Sequence, residues 1–320
     1  MTVLVTGGAG FIGSNLVHSL LEDGQDVRVL DDLSTGRIEN LAEVLADVEL
    51  LEGDVRDPAA VAKAVAGAEV VYHLAALPSV ARSVTDPLAS HQVNVDGTLS
   101  LLLAAGNAGV RRLIYASSSS VYGDTPVLPK HEDMPVSPRS PYAASKLAGE
   151  AYCRAFPRVY PLETVSLRLF NVFGPRQDPG SPYAAVVPRF ATRMLAGRPA
   201  EVTGDGGQTR DFTFVANAVH ACRLAANAGT EAVGEAMNVG CGDRISVLDL
   251  VDLVNELLPE PVEPVFTAAR PGDVRDSQAS IDKAGRLLGY RPLVGAREGV
   301  SNTIRWFADA TDPIKGASRR

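Results

Sequence analysis

The 320-residue chain is 46% hydrophobic and 21% charged, an ordinary composition for a soluble globular protein with room for one large or two intergrown domains. Its formal net charge of −8 argues against nucleic acid as a partner, because phosphate binding on that scale needs a basic footprint. Cys153, Cys222 and Cys241 show no Cys-x-x-Cys spacing and read as reduced thiols, no metal site or membrane-spanning apolar run is evident, and the opening lacks the marks of a signal peptide, so a cytoplasmic protein is expected.

Thr2–Thr6 is a short run with the pattern of a strand buried on both faces. It leads into Gly7-Gly8-Ala9-Gly10-Phe11-Ile12-Gly13 and then an amphipathic segment to about Glu22. At a strand-to-helix junction Gly7 permits a tight turn, Gly10 lets a pyrophosphate approach the backbone, and Gly13 lets helix and strand pack closely. Amides at the helix N-terminus then face the phosphates. The next strand, Val27–Leu30, ends in Asp31-Asp32, where a carboxylate accepts the ribose hydroxyls of NAD and repels the extra phosphate of NADP. Arg37 nearby works against that preference. A strand at Glu49–Glu52 runs into a turn where Asp54 can meet the adenine. Another, Glu69–His73, ends in Leu74-Ala75-Ala76, which lets a ligand lie against the strand end. His73 is expected to be packed rather than catalytic.

A helix over about Pro87–Ala108 precedes the strand Arg112–Ala116, which delivers the run Ser117–Ser120. After a proline-rich loop comes Tyr142-Ala143-Ala144-Ser145-Lys146. Tyr-x-x-x-Lys on a helix places both side chains on one face, and an ammonium beside a phenol is expected to lower the phenol's pKa. Such a phenol takes or gives a proton near neutral pH, and Ser118 can share that proton with a substrate. This is equipment for oxidising an alcohol, given a hydride acceptor. The alternation of strands and helices predicts a doubly wound parallel α/β sheet of the Rossmann type, with the site beyond the carboxyl ends of its strands. Gly7, Asp31, Asp54, Ala75 and Ser118 all fall at such ends.

Past about Leu169 turn formers interrupt both periodicities, as in Asn171-Val172-Phe173-Gly174-Pro175-Arg176-Gln177-Asp178-Pro179-Gly180. Helices are expected at Val187–Ala196, Val219–Asn227 and Val247–Leu258, and a strand at Met237–Val239. The expected organisation is an NAD-binding domain over 1–170, with 212–240 returning to it. A smaller C-terminal α/β substrate-binding region takes 171–211 and 241–310, and 311–320 is a frayed tail.

Together the glycine motif, Ser118 with Tyr142 and Lys146, Asn171-Val172-Phe173-Gly174, Arg210-Asp211-Phe212 and Arg270-Pro271-Gly272-Asp273 resemble the extended short-chain dehydrogenase/reductase family, specifically its nucleotide-sugar epimerases and dehydratases. The resemblance implies Tyr142 as the catalytic base, Lys146 as its partner and anchor of the nicotinamide ribose, Ser118 as the proton-sharing hydroxyl, and Asn94 as support from below. It places Phe11, Ile12 and Val55 at the cofactor. Arg210 and Arg270 are implied at the substrate diphosphate, Asp273 at the uridine ribose, Asn171 at the β-phosphate or sugar, and Ala185, Val186 and Arg189 in the same site.

Dehydrating members carry Thr-Asp-Glu where this chain has Ser118-Ser119-Ser120, and decarboxylating members keep a Glu at the place of Ser120. Neither set is present, which leaves the reaction needing least: oxidise one carbinol, turn the intermediate over, reduce it from the other face. A 4-epimerase of a UDP-sugar with a tightly held NAD is therefore expected. Ser277 lies where the family has a gatekeeper beside the hexose, and a small residue there leaves room for an N-acetyl group. That ranks UDP-GlcNAc/GalNAc first, UDP-Glc/Gal second and UDP-GlcA/GalA third, Asp178 being expected to repel a substrate carboxylate. The uronic acids stay in view because the run Ser117–Ser120 also resembles that of uronic-acid epimerases. Relatives often dimerise through two paired helices, and Leu99–Ala105 and Leu147–Ala155 offer such a face, so a homodimer is expected.

Overall fold

The computed structural model describes residues 1–180, 185–268 and 275–311. In chain order the first part comprises β1 (Thr2–Thr6), α1 (Phe11–Glu22), β2 (Asp26–Asp31), β3 (Val48–Glu52), α2 (Pro58–Val65), β4 (Val70–His73), α3 (Val80–Thr85), α4 (Pro87–His91), α5 (Gly97–Asn107), β5 (Arg112–Ser118), α6 (Pro141–Ala155) and β6 (Glu163–Leu169). There follow β7 (Val172–Phe173), α7 (Val186–Leu195), β8 (Glu201–Thr203), β9 (Thr209–Arg210), β10 (Thr213–Phe214), α8 (Val215–Ala226), β11 (Ala236–Val239), β12 (Ile245–Ser246), α9 (Val247–Asn255), β13 (Val265–Thr267), α10 (Asp282–Leu288) and α11 (Ala296–Thr311).

Seven strands form one parallel sheet in the order β11-β6-β5-β4-β1-β2-β3. Alternate side chains enter different cores, which is why these strands read as continuous apolar runs. Val3 and Val5 join Leu16, Val17 and Leu20 of α1 and Ala218, Cys222 and Ala225 of α8. Leu4 and Leu30 join Val61 and Val65 of α2 and Leu101, Leu102 and Ala105 of α5. The strand order reverses direction between β1 and β4, so the loops after these two strands diverge and open a crevice. Both loops carry small residues, Gly7–Gly10 after β1 and Ala75–Ala76 after β4.

Three shorter pairs build the C-terminal region: β7 with β10 and β8 with β13, both parallel, and β9 with β12, antiparallel. The helix expected over Pro87–Ala108 is divided. A wider turn at Gln92–Asp96 separates α4 from α5 and brings Asn94 inward, where its Oδ1 accepts from Leu77 N at 2.8 Å. Helix α2 carries a signal in sequence, Asp57 capping Ala59 N with Pro58 in the first turn. The residues 312–320 of the expected tail lie outside the described ones. No described helix is long and apolar enough to cross a membrane.

Candidate active site

A cleft of about 1050 Å³ lies over the carboxyl ends of the strands. Its lining includes Gly7, Gly10, Phe11, Ile12, Gly13, Asp31, Asp32, Val55, Leu74, Ala75 and Ala76, and on its other side Ser118, Tyr142, Lys146, Asn171, Ala185, Arg210 and Ser277. Gly7, Asp31, Leu74 and Ser118 reach it at the ends of β1, β2, β4 and β5, and Tyr142 and Lys146 reach it from α6.

The glycine turn has no room for side chains. A Cβ on Gly7, where φ is +71°, would stand 2.6 Å from Ala75 N, and one on Gly13 would stand 2.0 Å from Gly7 O. Backbone is thus left bare at the start of α1, as a pyrophosphate needs. The buried carboxylate of Asp31 accepts from Ala9 N at 2.9 Å through Oδ2 and from Leu33 N at 2.9 Å through Oδ1, so it holds the turn it follows. Burial raises its pKa, against the lowering by those two bonds. Arg37, whose charge opposed the choice of NAD, is tied to Asp178 at 2.8 Å. Gln177 lines the cleft wall, its buried Oε1 having no hydrogen-bond partner among the described residues. These residues fit NAD, which when bound supplies the hydride acceptor.

Helix α6 begins at Pro141, capped by Ser140, whose hydroxyl accepts from Ala143 N at 3.1 Å. Two further serines fix its first turn: Ser83 Oγ accepts from Tyr142 N at 3.0 Å, and Ser145 Oγ donates to Tyr142 O at 2.8 Å. Asn94 Nδ2 donates to that same Ser145 hydroxyl at 3.0 Å. Asn94 therefore lies outside the lining and acts through the helix. Tyr142 and Ser118 line the same cleft, and the Ser118 hydroxyl accepts from Ser120 Oγ at 2.9 Å. Burial raises the pKa of the Tyr142 phenol, and the neighbouring Ser118 opposes the rise. This corrects the expected depression by Lys146. The Lys146 ammonium instead donates to Ala116 O at 2.8 Å and sits 5.0 Å from the Tyr115 ring centre. Burial brings its pKa down to about 8, with Glu150 opposing. Glu150, one turn along α6, accepts from Ser117 Oγ and from Arg168 Nη2 at 2.7 Å, a buried pair joining α6 to β6.

His73 is packed, bonded to Thr6 Oγ1 at 2.8 Å and Thr98 Oγ1 at 2.9 Å, and burial lowers its pKa to about 3. Asp54 turns from the cleft to Arg56, and that bond holds its carboxyl below the usual range. Val186 opens α7 outside the lining, and Arg189 points to Glu201 at 3.3 Å. Asn171 Nδ2 donates to Asp211 O at 3.0 Å, beside the strand that carries Arg210. Arg270 and Asp273 fall outside the described residues. The repulsion expected from Asp178 is weakened, since Arg37 balances its charge. The fixing serines Ser83 and Ser145 had no sequence signal, because each is meaningful only against the packed helix.

A dinucleotide cradle and a Ser–Tyr–Lys set facing one cleft define a nicotinamide-dependent enzyme. Residues 3–240 match the model of the NAD dependent epimerase/dehydratase family. UDP-glucose 4-epimerase of Mycolicibacterium smegmatis is 44% identical over 96% of this chain and 98% of that protein. Among solved structures, UDP-glucose 4-epimerase from Thermotoga maritima with UDP-glucose superposes with a TM-score of 0.92 at 38% identity, covering 98% of this chain and 100% of that one. UDP-N-acetylglucosamine 4-epimerase from Methanobrevibacter ruminantium, in complex with UDP-N-acetylmuramic acid, gives 0.91 at 37% identity, covering 97% and 99%. The chain belongs to the NAD-dependent epimerase/dehydratase family and is an epimerase, an isomerase that uses NAD.

Proposed function

We propose that the protein interconverts a UDP-sugar and its 4-epimer, with UDP-GlcNAc/UDP-GalNAc as the preferred pair and UDP-Glc/UDP-Gal also accepted. One observation carries the reading: Ser118, Tyr142 and Lys146 line the same cleft as the glycine turn and Arg210. Tyr142 Oη, in its phenolate form, takes the proton of the C4 hydroxyl as C4 is oxidised, giving a 4-keto sugar. Ser118 holds that oxygen and relays the proton. Rotation of the sugar then presents its other face, and Tyr142 returns the proton as C4 is reduced. Arg210 grips the diphosphate throughout, a charge-assisted contact suited to a guanidinium.

The N-acetyl preference rests on Ser277, a small residue buried in the lining next to β9. The 4-epimerases that the chain resembles are named for UDP-glucose and for UDP-N-acetylglucosamine, which agrees with a site admitting both. UDP-glucuronic acid is the second reading, favoured by the serine run at Ser117–Ser120 and by the Arg37 partner of Asp178. Incubating the purified protein with each of the three sugars and resolving the products decides among them. No epimer from any would sink the proposal. A homodimer through α5 and α6 is proposed on their outward apolar side chains, Leu103 at 39% exposure among them, and light scattering in solution tests it.

A further inference from the structure

Lys130 has no place in the chemistry above. It comes from the proline-rich segment between Gly123 and Pro141, yet it is only 2% exposed and lines the cleft. Its backbone is fixed on both sides: Lys130 N donates to Gln278 O at 2.8 Å, and Lys130 O accepts from Ser280 N at 2.8 Å and Asn238 Nδ2 at 2.9 Å. The same stretch of chain carries Ser277, and its opposite flank is the strand of Arg210, with Thr209 N donating to Arg275 O at 3.0 Å and Asp211 N to Ser277 O at 2.8 Å. Lys130, Ser277 and Arg210 therefore stand on three neighbouring segments facing one cleft.

An ammonium has three protons to donate. Lys130 Nζ gives one to Gly123 O at 3.2 Å and makes no ion pair among the described residues. Burial lowers its pKa, Arg210 lowers it further, and Asp124 opposes. A buried cation beside a second cation is costly unless an anion sits between them. The carboxylates of the cofactor side are already engaged: Asp31 with its own turn and Asp178 with Arg37.

We propose that Lys130 is a substrate-binding residue whose ammonium, with Arg210 across Ser277, grips the phosphate that bears the sugar. It rests on the nucleotide-sugar reading. The contact holds that phosphate on the hexose side of the cleft while the sugar rotates, so it governs affinity more than the proton transfer.

The test is calorimetric titration of the NAD-loaded enzyme with UDP and, separately, UMP, which lacks the second phosphate. Lys130→Met is expected to weaken UDP by ~10- to ~100-fold, leave UMP unchanged and raise KM for UDP-GlcNAc with little change in kcat. Lys130→Arg is expected to restore most of the UDP affinity. Equal weakening of UDP and UMP, or a fall in both with Tm, would make Lys130 a structural residue and overturn the proposal. Unchanged UDP affinity overturns it as well. An effect confined to UDP-glucuronic acid would assign the ammonium to a sugar carboxylate instead. Wild-type enzyme that binds no UDP overturns the nucleotide-sugar reading itself, a result distinct from all of these.

Discussion

Strands of the large sheet fix one another over four to seven paired residues, whereas the pairs of the C-terminal region run for only two or three. The first arrangement sets the positions of Gly7, Asp31, Ala75 and Ser118 by register alone. The second depends on single side chains bonded to backbone. Buried Asp211 accepts from Cys241 N at 2.7 Å, Gly242 N at 3.0 Å and Ala279 N at 3.1 Å. Asn217 Oδ1 likewise accepts from Leu293 N at 2.8 Å and Val294 N at 3.0 Å. Chemistry common to many substrates sits on the redundant frame. The recognition proposed for Arg210 and Ser277 sits on the part where one residue can change the shape.

If that contrast is right, damage should separate cleanly. The largest effect is expected from Tyr142→Phe, which removes the proton acceptor and leaves the sheet untouched. Turnover should fall ~100- to ~10,000-fold while NAD stays bound, read by product formation and by cofactor absorbance of the purified protein. Persistence of turnover would remove Tyr142 as the base. Next comes Asp211→Ala, which orphans three N–H groups, that of Ala279 buried and those of Cys241 and Gly242 partly so, at up to roughly 1–3 kcal/mol each. A Tm lower by at least ~5 °C and weaker UDP binding are expected, with NAD affinity kept. Equal loss of NAD would mean that the two parts are not independently held.

A smaller effect is expected from Ser277→Tyr. The added ring should cut kcat/KM for UDP-GlcNAc by ~10-fold or more relative to UDP-Glc, a loss within the range set by pocket contacts. Equal losses on the two substrates would break the gatekeeper role. The smallest effect is the pH response of Lys146. Its pKa is brought down to about 8 by burial, so the ammonium is present below that pH and lost above it. Turnover should therefore decline as pH rises through about 8. A flat profile from pH 7 to 10 would show that the charge on Lys146 does not matter to the reaction.

The sheet, its site and the residues at its strand ends could be read from the chain because each depends on neighbours in sequence: a run of β-branched residues, a glycine spacing, a Tyr four before a Lys. The direction of the Tyr142 shift could not, since it follows from burial among elements far apart in the chain. Spacing shows that Lys146 shares a face with Tyr142, but not that Ala116 O accepts its hydrogen bond. The division of the helix at Gln92–Asp96 was equally hidden, because it answers to Leu77 on a separate loop. Lys130 is the extreme case. Nothing within ten residues marks it, and its place is set by chain almost 150 positions later at Gln278.

β11 pairs with β6, from Ala236 against Ser166 to Val239 against Leu169, after the chain has already built part of the C-terminal region. A fragment stopping soon after Leu169 would thus end on an exposed, hydrogen-bond-hungry margin, with Leu167 and Val165 close behind it. Unpaired margins of that kind recruit other chains into mixed assemblies. Expressing the cofactor-binding half by itself should give aggregates rather than a small soluble domain, and a circularly permuted chain that keeps residues 236–239 attached is the better starting point for dissecting the molecule.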